Sequence, residues 1–280
     1  MQPIFELDTP LTGFDETVLP NWLMVPLDEN KTIFLRNGEG MIVTSVNPRI
    51  ADVSIIDPIL ASGANGRRTL SIKGNMHGHT FIEVRDVQKR LKARLEVAVK
   101  KQKTVTLAFN FVEDNAGHKT NRKPDQDVDP WIEALNNIIY TPQTNVVFIK
   151  HSVRWVKVNA NLGNVVGADK RRKWNVEEWI SVVAQKDKTA DINLFFVWEL
   201  DFNSKADNVE GGEINKDCLI EDNLVADKTG VTVIAHEIGH ALGVPGESHY
   251  YKNRNAAGLM FHQATGGFRI GKVHANMINR

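Results

Sequence analysis

The sequence is almost without cysteine. Cys218 is the only one among 280 residues. No intrachain disulfide can form, and no cysteine-based zinc site can be built. An excess of charge of one sign is also missing, because 34 lysines and arginines balance 34 aspartates and glutamates. That balance removes any electrostatic case for nucleic acid or an anionic membrane as partner. No apolar run approaches the roughly 20 residues of a membrane helix, so membrane insertion is not expected. The opening residues Met1 to Asp8 lack the basic and apolar regions of a secretory signal. Such a chain is expected to stay in the cytoplasm, to have lost a signal, or to leave by a signal-independent route. Export by that last route is the expectation adopted. The sequence can equally be a piece of a longer chain.

What is present is enough chain for two domains of ordinary size. Between residues 31 and 100, short strand-like runs alternate with turn residues. The run Ala93-Arg-Leu-Glu-Val-Ala-Val99 alternates apolar and polar positions as a half-buried strand does. Strands about ten residues apart suggest an immunoglobulin-like sandwich. Residues 31–100 also resemble bacterial Ig-like modules at Val46-Asn47-Pro48 and at Ser71-Ile72-Lys73-Gly74. The proline-rich segment before Lys31 reads as an irregular strap. The expectation is an all-β Ig-like domain over residues 1–102, able to dock the protein on a carrier or target protein.

A charged link at Lys100-Lys101-Gln102-Lys103 opens the second half. Thr104 to Val112 reads as a strand. Pro130, after a capping Asp129, starts a helix whose apolar residues Trp131, Ala134, Leu135, Ile138 and Ile139 form one stripe. Two short strands follow, at 145–149 and 153–158. A helix over 176–184 has Glu178 in capping-box position, and Asp191 to Leu200 is the most apolar strand. The pattern predicts an α/β (α+β) domain over residues 103–280.

The chemistry gathers in Val233-Ile-Ala-His-Glu-Ile-Gly-His-Ala-Leu-Gly243. On a helix, positions i and i+4 share a face. His236 and His240 can therefore turn both imidazoles to one metal ion. Glu237 beside them can act as general base on a metal-bound water, with zinc (Zn2+) as the expected cofactor. The flanking residues are apolar, and buried polar groups are costly without partners. Gly243 stands where such a helix would end and turn. Further on, Gly258-Leu259-Met260-Phe261 is a compact apolar segment.

Together these residues resemble the metzincin clan of zinc metallopeptidases, whose motif H-E-x-x-H-x-x-G-x-x-H is followed by a methionine turn. The match covers His236, Glu237, His240, Gly243 and Met260. It departs at Gly246, where the third ligand is expected. The resemblance then implies His249, displaced by three residues, as third ligand, with Glu247 as competitor. It implies a protein or peptide substrate, laid along an edge strand formed by about residues 211–220. Met260 would make an apolar floor beneath the metal. A tyrosine that steadies the transition state in some members has His262 at its position here, either in that role or as a surface histidine. The expected activity is zinc-dependent endopeptidase hydrolysis, with a secreted bacterial effector or toxin as one setting. The alternatives are a degenerate zinc-stabilised binding module and a cell-wall peptide amidase.

Overall fold

A computed structural model describes residues 2–8, 12–56, 67–167, 177–201, 211–222, 230–245, 258–260 and 267–280. In chain order the strands begin with β1 (Ile4–Glu6), β2 (Phe14–Asp15), β3 (Asn21–Pro26), β4 (Asn30–Arg36) and β5 (Ile42–Ser45). They continue with β6 (Ala51–Ile55), β7 (Arg68–Gly74), β8 (Gly78–Arg85), β9 (Leu91–Lys100) and β10 (Lys103–Asp114). Helix α1 (Pro124–Ala134), a π-helical turn (Leu135–Ile139) and α2 (Thr141–Thr144) lead to β11 (Val146–Val158) and β12 (Val166–Gly167). Then come α3 (Glu177–Val183), β13 (Ile192–Val197), β14 (Leu200–Asp201), β15 (Gly211–Ile214) and β16 (Asp217–Glu221). Helices α4 (Val231–Ala241) and α5 (Lys272–Ile278) complete the order.

The chain divides into two compact units. One holds Met1–Lys103, Tyr140–Val146 and Arg269–Arg280; the other holds Thr104–Ile139 and Val147–Phe268. In the first unit, a four-stranded sheet runs β1-β4-β7-β6 and a five-stranded sheet runs β2-β3-β9-β8-β5. Their side chains share one core, with Ile33, Leu35, Leu70 and Ile72 from one sheet and Leu23, Val25, Ile82, Leu95 and Val97 from the other. Each such buried side chain contributes roughly 1.5–3 kcal/mol relative to exposure. The segment before Lys31 is not an irregular strap. Strand β3 lies between β2 and β9, pairing parallel to β9. Its residues Trp22 to Val25 are all buried, and a strand covered on both faces shows no period-two alternation to read.

In the second unit a five-stranded sheet runs β11-β10-β13-β16-β15. Strands β10, β13 and β16 are mutually parallel, and β15 pairs antiparallel to β16 at the edge. Phe109, Phe111 and Phe196 stack on one face of this sheet, and Trp131 from α1 stacks on Phe109 and Phe196. Helix α4 packs against β13, β15 and β16.

The expected fold class, an Ig-like sandwich followed by an α/β domain, is corrected. The protein is mainly β, with far more of its described residues in strands than in its few short helices. The physical reason is visible in the second half. The two short strands expected after Asn145 are one uninterrupted strand, β11. The helix expected to start at Pro130 starts earlier, at Pro124, and leaves α-geometry at Leu135. Glu178 accepts the Gly167 N–H at 2.6 Å, and the N-cap that it was expected to serve lies outside the described residues. Among the described residues no helix is long and apolar enough to cross a membrane.

Candidate metal centre

Helix α4 owes its place to its burial. Val233, Ile234, Ala235, Ile238 and Ala241 are buried, as is Glu237 at 6% exposure, whereas His236 and His240 are half-buried. The helix ends where the sequence says it should. Gly243 has φ +97°, a conformation that suits glycine. Its N–H reaches the His240 carbonyl at 2.8 Å, and the Val244 N–H reaches the Gly239 carbonyl at 3.1 Å. These two bonds make a Schellman turn. The same turn folds the Val244 carbonyl back onto the His240 ring, whose Nδ1 lies 2.9 Å from it. The Nδ1 of His236 lies 2.8 Å from the Leu259 carbonyl, which ties the segment Gly258–Met260 to the helix. Leu259 and Met260 are both buried.

These two carbonyls decide the histidine chemistry. A carbonyl only accepts, so each ring carries its proton on Nδ1 and turns an Nε2 lone pair outward. The two Nε2 atoms are 3.1 Å apart. Two acceptors at that distance repel unless a positive charge stands between them. Two nitrogen ligands of a tetrahedral zinc, each at roughly 2.0–2.1 Å, stand about 3.3 Å apart. The pair therefore fits a shared zinc ion, with each outer nitrogen held as metal-bound histidines usually are.

Glu237 faces the sheet. Gly211 of β15 lies against it: a β-carbon on Gly211 would stand 3.1 Å from Glu237 Cγ and 2.9 Å from Val233 Cγ1. Cys218 of β16 lies nearby and is buried. Burial pushes its thiol up, and the carboxylates of Glu237, Glu213 and Asp217 push it further.

His249, its competitor Glu247 and His262 lie outside the described residues. Among the described residues no group of three or more His, Cys, Asp or Glu comes together to hold a metal. The edge strand expected within 211–220 is β15 alone, while β16 lies inside the sheet. Sequence reasoning placed Gly211 in the expected edge strand but missed its approach to Glu237, because a strand-to-helix contact leaves no local pattern. It also passed over the pairing of His118 with Asp114, at 2.8 Å.

No family model matches this chain, and no curated protein matches it. Solved structures that it is similar to come from an S-layer protein. Domains 4 and 5 of SbsC match at 20% identity over 35% of this chain and 53% of that one, with a TM-score of 0.24. Domains 5–6 match at 18% identity over 43% of this chain and 56% of that one, with a TM-score of 0.25. The chain thus spans about half the length of these two structures.

Proposed function

We propose that this protein is a zinc-dependent metallopeptidase of the metzincin type, acting on a protein or peptide chain. The observation that carries the proposal is the 3.1 Å approach of the two Nε2 atoms, each ring backed by a main-chain carbonyl at Nδ1. His236 and His240 would hold the ion, with His249 as third ligand. When bound, zinc supplies a Lewis acid that polarises the scissile carbonyl and brings the pKa of a bound water to about 7.

The chain's own residues do the rest. Glu237, one position after the first histidine, takes the proton of the attacking water and returns it to the leaving amine. Strand β15, at the edge of its sheet among the described residues, would offer main-chain donors and acceptors to an extended substrate. We place the protein's work outside the cytoplasm, to be checked by fractionating the source cells for the chain; confinement to the cytosol would count against that placement.

The test combines metal and rate. Protein purified without added metal is expected to carry close to one zinc per chain, and His249→Ala is expected to lose it. Retention by His249→Ala with loss by Glu247→Ala would give the third ligand to Glu247. Glu237→Ala should keep the zinc and lose roughly 10²–10⁴ in rate on a fluorogenic peptide library. A folded chain that takes up no zinc, or a Glu237→Ala variant as fast as wild type, would end the proposal.

A further inference from the structure

Strand β15 approaches α4 at a glycine. Gly211 is buried, pairs with Ile220 of β16, and has no side chain to hold the strand off the helix. Three atoms fill the space that its β-carbon would need. They are Val233 Cγ1 at 2.9 Å, Glu237 Cγ at 3.1 Å and the Leu219 carbonyl oxygen at 3.1 Å. The carbonyl belongs to the neighbouring strand and cannot yield without breaking the sheet register. Any added methyl must therefore press on the two α4 side chains. Glycine costs a strand backbone entropy and packing, so close approach of another group is the usual physical reason for one at such a site. Here the group that approaches is the proposed general base.

We infer that Gly211 is a positioning residue for Glu237. This rests on the peptidase reading and deepens it. The missing side chain lets the edge strand close on the first two turns of α4, with Glu237 Cγ filling the gap. The strand that would bind substrate and the group that would move its proton are thus held at one fixed spacing. Gly211 touches no reacting atom and acts only through Glu237. Val233 shares the contact, and it separates the structural part of the effect from the positional part. Val233→Ala removes the tighter neighbour and leaves Glu237 where it is.

The experiment compares wild type, Gly211→Ala, Gly211→Ala/Val233→Ala and Glu237→Ala, all as full chains. Zinc content, thermal midpoint, and kcat and KM on one fluorogenic peptide cleaved by wild type are measured. A further readout is the affinity of acetohydroxamate for the cobalt-substituted protein, followed by its visible absorption. Gly211→Ala is expected to keep its zinc, with KM within about twofold and kcat lowered roughly 10–100-fold, the size of loss that about 1 Å of misplacement brings. Acetohydroxamate affinity should fall as in Glu237→Ala, because the proton this ligand gives up no longer meets the carboxylate. The double variant should regain the thermal midpoint and stay slow. If Gly211→Ala cleaves at the wild-type kcat, or if the double variant regains kcat along with stability, the inference is overturned. Either result leaves the peptidase reading intact as long as wild type holds zinc and Glu237→Ala is inactive. Loss of those two controls would instead remove the reading beneath it.

Discussion

Asp114, the last residue of β10, shows how much one buried carboxylate can organise. Its side chain is 0% exposed and still meets four donors. One oxygen accepts the N–H groups of Ala116 and His118, and the other accepts the Leu162 N–H and the His118 ring Nδ1, all at 2.8–2.9 Å. Burial alone would raise its pKa. The hydrogen bonds from the His118 ring and from the Leu162 and His118 N–H groups outweigh burial and hold it below the ordinary carboxylate value. A carboxylate depressed in the folded state stabilises at neutral pH and loses that contribution as acid protonates it. Asp114→Asn should therefore lower the thermal midpoint at pH 7. The gap from wild type should close as the pH falls through and below about 4, the unperturbed carboxylate value. Thermal unfolding of both proteins across that range checks it, and a gap that stays constant with pH would show that only shape matters at this site. Nothing in the run Asp114 to His118 announces this pairing. By contrast, Gly243 was legible, because helix termination is a local matter of φ and of two short-range hydrogen bonds.

At the scale of elements, α5 is the helix least able to stand alone. It has seven residues, and helices shorter than about 12–15 residues are marginal in water. Its ends are held by the first unit to which it belongs. Asp15 accepts the Lys272 N–H at 2.9 Å, and Lys100 donates to the Asn279 carbonyl at 2.7 Å. Lys103 donates to the Ile278 carbonyl at 2.8 Å. Asn279, itself buried, donates to the carbonyls of Lys101 at 3.0 Å and Thr144 at 2.7 Å. Asn279→Ala strands these acceptors, and should cost the first unit about 1–3 kcal/mol, read from the urea midpoint. Lys272→Ala, which breaks only the partly exposed ion pair to Glu96, should cost about 0–1 kcal/mol. Equal costs would mean that the helix is held by its packing and not by its caps. Sequence patterning cannot say that the groups holding its ends come from strands well over a hundred residues earlier.

For the whole molecule, the division into two units has a measurable consequence under the zinc proposal. Metal held by the native state stabilises only the unit that folds around it, by roughly 4 kcal/mol when free metal stands 1,000-fold above Kd. Chelation should therefore lower one calorimetric transition, that of the unit containing α4, and added zinc should restore it. If both transitions move together, or neither moves, metal binding is not part of that unit's stability. The sequence by itself determined the features that depend on near neighbours. It set two histidines one helical turn apart with a glutamate between them, the apolar flank that buries their helix, the glycine that ends it, and the alternation of β9. The tertiary structure decided everything that depends on distant partners. It chose the Leu259 and Val244 carbonyls that fix both imidazole tautomers, and it set Gly211 against Glu237. It placed β3 inside a sheet and α5 in the first unit, and it made the protein mainly β where an α/β half was expected. The physical reason is range. Periodicity and helix capping act over a few residues and leave a mark in the sequence, whereas strand order, register and burial on two faces arise from contacts that no local pattern encodes.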